Sequence, residues 1–186
     1  MGLRLGGMRV ELDVGGVHQI AWPDIAALRH QMAHLARGAL PVVRFAGGAL
    51  IVDLSLHDNL MLEPMVHPAL VPGGAAQPAG RAARGGRLAS LERLFAEAGC
   101  PLQHASWRSR WAPAASPREL LQVRVGRAWM ADLDVLVVDA EAWNDAVLPR
   151  QRFSRSFVAL HPWRVLVWAS AGPGQAADSP AQGHAA

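Results

Sequence analysis

Lysine is absent from this chain, and cysteine occurs once, at Cys100. Without lysine the sequence cannot contain the phosphate-binding motif GxxxxGK[ST], in which the lysine contacts the β and γ phosphates. A single cysteine excludes an internal disulfide framework and most cysteine-based metal sites, and it is typical of a reducing compartment. The composition thus excludes these classes of site before any pattern is considered.

Long apolar runs and basic runs are also missing. No stretch reaches the roughly 18–20 apolar residues that a membrane span requires, and the start MGLRLGGMRVELDV lacks the apolar core of a signal peptide. The 18 basic residues, all arginine, are scattered among 15 acidic ones and give a net charge of only +3. Nucleic-acid-binding surfaces concentrate basic residues, so this pattern argues against nucleic acid as a partner. We expect a cytoplasmic protein without direct membrane insertion.

The chain is rich in apolar residues: of its 186 residues, 51% are hydrophobic and 18% are charged. This is enough for one compact domain with its own core. The segments 72–87 and 172–186 are rich in Gly, Pro and Ala and lack apolar periodicity, so we predict a flexible insertion and a disordered tail. The predicted organisation is a single domain over 1–171.

Strand patterns and helix patterns alternate along the sequence. Alternating apolar residues predict strands at 8–14 and 17–22, and a helix pattern follows from Pro23 to Gly38. The later predictions are a strand at 40–45, a partly helical segment at 53–65, a helix at 88–98 capped by Gly99, a helix from Ser116, and strands at 135–138 and 164–169. The continuous apolar run at 135–138 is typical of a central strand in a parallel sheet. We therefore predict an α/β fold with a mainly parallel sheet flanked by helices.

The most specific pattern is SPRELLQVRVGRAWMADLDVLVVDAEAW, from Ser116 to Trp143. It resembles the signature helix and Walker B strand of ABC-transporter ATPases, where a Leu-Ser-Gly-Gly-Gln type motif and an Ala-Arg-Ala triplet lead through an Asp-Pro type turn and four apolar residues to Asp-Glu-Pro. Without a gap, Ser116 corresponds to the signature serine and Asp139 to the Walker B aspartate. The segment 49–64 is similar to the stretch after the family's Q-loop. The resemblance implies a P-loop NTPase-like core of the ABC ATPase type, with a reduced helical subdomain at about 88–130.

The residues that would bind and hydrolyse ATP differ from the family pattern. At the place of the phosphate-binding loop the chain has Trp22, Pro23 and Asp24. Pro23 lacks an N–H donor, and Asp24 would repel a phosphate. The other departures are Ala46 for the Q-loop glutamine, Pro117 and Arg118 for the signature glycines, and Ala140 for the catalytic glutamate, with Glu141 one place too late. Of the catalytic positions only Asp139 matches.

The resemblance and these departures together imply a pseudo-ATPase. We expect no ATP hydrolysis and no ATP or magnesium cofactor, because the electrostatic clamp, the metal holder and the general base are damaged together. The implied role is structural or regulatory, as the partner of a membrane permease, of an active ATPase subunit, or of both. Such a partner would hold the protein at the inner face of the cell membrane. The alternative is a stand-alone sensor that binds a nucleotide or small ligand without hydrolysis, with Trp22 as an aromatic platform.

Two family-like features also have ordinary structural explanations. Asp139 is either a remnant of a magnesium ligand or the cap of the turn that follows its strand. The signature-like segment, Ser116, Pro117, Arg118 and Glu119, either faces a partner's nucleotide or is a common helix start. In a common helix start serine is the cap, proline takes the first position and glutamate lies in the first turn.

Candidate partner-binding residues lie in two places. One group corresponds to the part of the family's ATPase that contacts a permease, although core packing explains it as well: Leu56, Leu60, Met61 and Met65. The other is the loop sequence WRSRW, in which Trp107 and Trp111 flank two arginines. Aromatic residues and arginine are enriched at protein interfaces.

Histidine pairs and the cysteine do not form a convincing reactive or metal site. His30 and His34 have the four-residue spacing of zinc ligands, but HQMAH lacks the glutamate of HExxH and a third ligand is not evident. Cys100 and His104 lack a third group that would orient a nucleophile and its base. We therefore predict neither a metal site nor a catalytic residue.

Overall fold

The computed structural model describes residues 2–5, 8–22, 43–47, 49–66, 81–131 and 133–172. The strands in these ranges are β1 (Gly2–Leu5), β2 (Met8–Glu11), β3 (Val17–Trp22), β4 (Val43–Ala46), β5 (Val135–Asp139) and β6 (Val165–Ala171). The helices are α1 (Leu56–Val66), α2 (Arg81–Glu97), α3 (Pro117–Met130) and α4 (Arg150–Leu160), with short 3₁₀ helices at His104–Ser106 and Ala112–Ala114.

Four strands form a parallel sheet in the order β3-β6-β5-β4. Strands β1 and β2 form a separate antiparallel pair. Parallel neighbours need a crossover connection, and helices supply it here: α1, α2 and α3 lie between β4 and β5, and α4 lies between β5 and β6. Because the four strands run in the same direction, their carboxyl ends meet at one edge of the sheet.

Each face of the sheet buries its own apolar cluster. Along β5 the side chains alternate, so that Leu136 belongs to the helix-covered cluster and Val137 to the cluster on the opposite face. The helix-covered cluster contains buried side chains from all four described helices, among them Leu60, Leu91, Trp129 and Phe153. The second cluster is Leu12, Trp22, Val43, Val135, Val137, Val165, Val167 and Ala169. Strand β5 is buried on both faces, as its continuous apolar run predicts.

Helix α2 ends at Glu97 and is capped by Gly99, the cap that the sequence predicts. Gly99 has a φ of 74°, in the left-handed region that favours glycine. Its N–H donates to the carbonyl of Ala96 at 2.9 Å, and the N–H of Cys100 donates to the carbonyl of Phe95 at 2.8 Å. These two bonds form a Schellman motif, which satisfies carbonyls that the last helical turn leaves without partners.

The predicted fold class is confirmed at the level of an α/β protein with a parallel sheet flanked by helices. The predicted flexible insertion at 72–87 is wrong in its last part, because α2 begins at Arg81 and includes that stretch. Arginine, alanine and leucine favour helix strongly enough to tolerate the two glycines within it. The predicted helix from Pro23 to Gly38, the rest of the insertion and the tail beyond Gly172 lie outside the described residues.

Two elements were not predicted. Strand β1 precedes the predicted start of the first strand and pairs with β2 from Gly2↔Glu11 to Leu5↔Met8. Helix α4 carries Phe153 and Phe157 four residues apart, and both are buried. That spacing is the usual apolar signal of a helix and would have revealed α4.

Candidate functional site

The carboxyl edge of the parallel sheet is the place where α/β proteins of this kind bind ligands. Here it is formed by the ends of β3 at Trp22, β4 at Ala46, β5 at Asp139 and β6 at Ala171. The chain therefore brings the predicted phosphate-loop position Trp22 and the Walker B position Asp139 to the same edge. The chemistry of this edge depends on which polar groups there can reach a ligand.

Asp139 caps the turn that follows β5. Its Oδ1 atom accepts hydrogen bonds from the N–H groups of Glu141 at 3.0 Å and Ala142 at 3.1 Å. The side chain is buried, with 4% of its surface exposed. These contacts are those of an Asx turn, which is the structural explanation that the sequence left open beside a magnesium ligand.

Glu141 also accepts a hydrogen bond at the carboxyl edge, from the neighbouring strand β6. Its Oε1 atom accepts a hydrogen bond at 3.0 Å from the N–H of Ala171, the last residue of β6. The neighbouring strands are joined at this point by a 2.7 Å bond from the N–H of Ala140 to the carbonyl of Ala169. From the sequence, Glu141 was interpreted only as a glutamate one position too late to be the general base. Its contact with β6 was missed, because which strand lies beside β5 depends on the sheet order.

The predicted phosphate-loop residues are only partly described. Trp22 ends β3 and is 4% exposed, within the cluster that also contains Leu12 and Val43. The indole is thus packed within the chain's own core, and its use as an aromatic platform for a ligand stays a prediction. Pro23 and Asp24 lie outside the described residues.

Arg127 ties α3 to the segment after β4, a role that the sequence did not indicate. Its guanidinium donates to the carbonyl of Gly47 at 3.0 Å and to that of Ala49 at 3.3 Å. The Q-loop position Ala46 is itself buried, at 4% exposure. A charged side chain thus fixes the backbone just after β4.

The signature-like segment forms a complete capping box at the start of α3. The Ser116 hydroxyl donates to Glu119 Oε2 at 2.8 Å and accepts from the Glu119 N–H at 3.3 Å, and the Ser116 N–H donates to the same Oε2 at 2.9 Å. Pro117 occupies the first helical turn. Arg118 donates to the carbonyl of Pro101 at 2.7 Å. This is the helix-start explanation of the segment, and its polar groups are used within the chain.

Glu119 is a buried carboxylate held by charge-assisted bonds. Only 6% of it is exposed, and Arg110 donates to its Oε2 at 3.2 Å. Burial raises the pKa of this carboxyl, but the hydrogen bonds from Ser116 and the nearby Arg110 guanidinium outweigh burial and hold the pKa below its usual value. Glu119 is therefore ionised near neutral pH and serves to fix the helix start.

Three of the predicted partner-binding residues are in the core instead. Leu56 and Trp107 are 0% exposed and Leu60 is 1% exposed. Side chains that the chain's own core encloses cannot reach a partner, so for the two leucines the core-packing explanation holds, and for Trp107 the prediction is wrong. Met61 is partly buried against the same cluster, and the side chain of Met65 lies outside the described part of the structure.

Trp111 is exposed, and two apolar residues that the sequence did not single out accompany it. Its exposed fraction is 57%, and those of Ile51 and Val52 are 43% and 59%. Residues 54–56 connect the two segments, since Ser55 forms a β-bridge with Trp111 and the N–H of Leu56 donates to the carbonyl of Arg110 at 2.8 Å. We call these three side chains the apolar surface. Large exposed apolar groups of this kind are typical of interaction sites.

The residue types that commonly bind metal ions are dispersed within the described part of the chain. Over the described ranges, His, Cys, Asp and Glu residues do not come together in a group of three or more that could hold a metal ion. His30 and His34 lie outside those ranges. Asp139 Oδ1 and Glu141 Oε1 each accept backbone N–H groups, and the absence of bound ATP and magnesium stays a prediction.

Cys100 and His104 are not paired with each other in the contacts of the described residues. Cys100 is buried, and the amide of Gln122 donates to its carbonyl at 2.7 Å and approaches its sulfur at 3.5 Å. His104 Nδ1 lies 3.1 Å from Glu92 Oε1. The two side chains thus have separate structural partners.

No protein-family model matches the chain, and no curated protein matches it at a significant level. Among the described helices, none combines the length and apolarity needed to cross a bilayer. The family resemblance therefore rests on the residues quoted above, and a function must be argued from the geometry.

Proposed function

We propose that this protein is a catalytically inactive relative of the ABC-transporter ATPases that works by binding a protein partner, either a membrane permease or an active ATPase subunit. The observation that carries the proposal is the state of the carboxyl edge. Asp139 and Glu141, the acidic side chains at the end of β5, both accept hydrogen bonds from the chain's own backbone. Each carboxylate thus has one oxygen engaged in holding the fold, which supports a structural role for both side chains.

The signature-like segment supports the same proposal. In a family whose ATPases act in pairs, this segment would face the partner's nucleotide, yet here Ser116 and Glu119 bond to each other. Arg110 adds a further contact to Glu119. In the signature-like segment, polar groups that would face ATP in an active enzyme thus form hydrogen bonds within the chain.

The apolar surface supports partner binding. Ile51 and Val52 precede α1, and Trp111 forms a β-bridge with Ser55, the residue just before α1; α1 lies in the segment that resembles the family's permease-contacting region. Tryptophan is among the residues whose truncation costs most at interfaces. We expect Trp111 to be the main contact residue of this surface.

The experiment compares two exposed tryptophans. Trp111→Ser should lower the affinity for a permease or ATPase partner, purified with the native protein from its source membranes, by about thirtyfold. Trp163→Ser is the matched control, because Trp163 is 62% exposed and lies outside the apolar surface. It should leave the affinity unchanged.

Hydrolysis of Mg-ATP is measured on the same samples. We expect turnover at background level and no thermal stabilisation by Mg-ATP, since a ligand that binds the folded state must raise its stability. Turnover that disappears in Asp139→Asn, or equal loss of partner binding in both tryptophan variants, would contradict the proposal.

A further inference from the structure

Strand β3 lies at one end of the parallel sheet, and within the described residues it pairs only with β6. The carbonyl of Gly16, just before β3, accepts a hydrogen bond from the N–H of Leu166 at 3.1 Å, and the carbonyl of Trp22 accepts one from Gly172 at 2.7 Å. Backbone groups of a strand alternate in direction from one residue to the next. The even-numbered residues of β3 therefore direct their N–H and C=O groups towards β6.

The odd-numbered residues direct theirs away from the sheet. These residues are Val17, Gln19 and Ala21, and all three are exposed. In the described part of the chain their outward N–H and C=O groups have no hydrogen-bond partner. The edge thus presents three donors and three acceptors in regular alternation.

This edge lacks the features that usually prevent pairing with another strand. Natural edge strands carry lysine, proline, inward-pointing charges or bulges. The sequence of β3, VHQIAW, contains no acidic residue, lysine, arginine or proline, and its register with β6 runs without a bulge from Val17↔Leu166 to Trp22↔Ala171. A regular strand of this kind is a template for an added strand.

We infer that β3 pairs with β3 of a second copy of this chain, antiparallel and about a two-fold axis at Gln19. In that register Gln19 faces Gln19 of the second copy, and Val17 faces Ala21. Each of these residues has both backbone groups pointing outward, so every facing pair exchanges two hydrogen bonds. The same array of groups therefore serves both copies, as an isologous interface requires.

The side chains are compatible with this register. The Gln19 amides meet across the axis and can bond to each other, and Val17 packs against the small Ala21. Because β3 carries no acidic residue, lysine or arginine, the two copies do not place such like charges opposite each other. The pairing is independent of the proposed function, since it uses neither the carboxyl edge nor the apolar surface.

The first test measures mass against concentration by sedimentation for the full chain and for Gln19→Pro. The native protein should show a reversible monomer–dimer equilibrium. Proline removes the Gln19 N–H in each copy, and it is tolerated where an edge strand's N–H faces outward. Losing the two central hydrogen bonds should raise the dissociation constant at least about tenfold.

Charge variants test the register itself and do not depend on how proline is tolerated. Gln19→Glu and Gln19→Lys should each be monomeric alone, because like charges would face each other across the axis, and their equal mixture should form a heterodimer. Gln151→Glu and Gln151→Lys are the matched controls, since Gln151 is exposed on α4. They should dimerise like the native chain.

Amide hydrogen exchange gives the residue-level result. In the dimer the amides of Val17, Gln19 and Ala21 should exchange slowly, and on dilution only these should become fast while those of His18 and Ile20 stay protected by β6. The inference is overturned if the native chain remains monomeric at all concentrations. It is overturned in the same way if the β3 edge of that monomer pairs with a strand of another protein. A dimer that persists unchanged in every Gln19 variant also overturns it.

Discussion

At the scale of single residues, His161 is a polar side chain buried among aromatic rings. It is 7% exposed, and its ring lies against those of Trp129 at 4.7 Å, Trp163 at 5.6 Å and Phe157 at 5.9 Å between centroids. In the described part of the chain neither ring nitrogen has a hydrogen-bond partner. Burial, followed by the charges of Arg164 and Arg93, lowers the pKa of His161 to about 4. The folded protein therefore keeps this ring neutral.

This depressed pKa makes stability depend on pH. The ordinary pKa is 6.5, so between pH 6.5 and about 4 the unfolded chain binds a proton that the folded chain does not. The stabilising effect of the neutral ring is complete above pH 6.5 and is lost as the pH falls towards 4. His161→Phe removes the titration and two unsatisfied nitrogens, and it should raise the free energy of unfolding at pH 7 by about 1 kcal/mol. Thermal unfolding at pH 7.5 and pH 5 should show a smaller acid-induced fall in Tm for the variant.

His57→Gln is the control for the His161 prediction. His57 is half-buried at the start of α1 and lies outside the aromatic group around His161. Its replacement should leave the difference in Tm between the two pH values as in the native chain. An unchanged difference in His161→Phe as well would show that other groups cause the acid sensitivity.

At the scale of helices, Gly126 sets the distance between α1 and α3. A Cβ added there would lie 2.5 Å from Cδ1 of Leu60 and 3.0 Å from Cδ2 of Leu91, and both leucines are in the core. The side chain of Leu60 occupies the space that a methyl group would need at this position, so the glycine is needed for the packing although it weakens the helix.

Gly126→Ala and Gly86→Ala should change stability in opposite directions. Both positions are helical, and alanine in place of glycine favours a helix by about 0.5–1 kcal/mol. At Gly86 the described residues beyond the local helix backbone place no heavy atom within 4 Å of an added Cβ, so this gain should appear as a rise in Tm. At Gly126 overpacking of about 1–3 kcal/mol should exceed the gain and lower Tm by a few degrees. A rise in Tm for both variants would mean that Leu60 moves aside at little cost.

The elements that local patterns specify were predictable, and those that depend on distant contacts were not. Ser116 and Gly99 mark helix ends by chemistry within a few residues, and β5 shows its burial by its own apolar run. The start of α2 at Arg81 was missed because glycine and alanine there carry no apolar periodicity. Arg127 gives no sequence signal for its bonds to Gly47 and Ala49, because the contact exists only once α3 lies beside β4.

At the scale of the whole molecule, the candidate site was predictable in its positions but not in its contacts. The sequence placed Asp139 at the end of a parallel strand, and the sheet order brings Trp22 to the same edge. It did not indicate that Glu141 reaches β6 or that Trp107 is enclosed by the core while Trp111 is exposed. Alternation within a strand is a local property, whereas the exposure of a loop tryptophan depends on every element packed around it.

The two apolar clusters should unfold together, because β5 and β6 supply side chains to both. Leu136→Ala acts on the helix-covered cluster and should cost about 2–5 kcal/mol. Val137→Ala acts on the opposite face, is adjacent in the same strand, and should cost less because fewer atoms are removed. Val52→Ala, at an exposed site, should stay within about 0.5 kcal/mol of the native chain.

Cooperativity is tested by following the thermal transition of these variants with two probes. Tryptophan fluorescence reports both faces, since Trp22 lies in one cluster and Trp129 and Trp168 in the other, while far-ultraviolet circular dichroism reports mainly the helices. In one cooperative unit the two curves coincide and each core substitution shifts both by the same amount. If Val137→Ala moved the fluorescence transition and left the helical signal in place, the sheet would not couple its two faces, and the helix-covered cluster would have to be stable without the other.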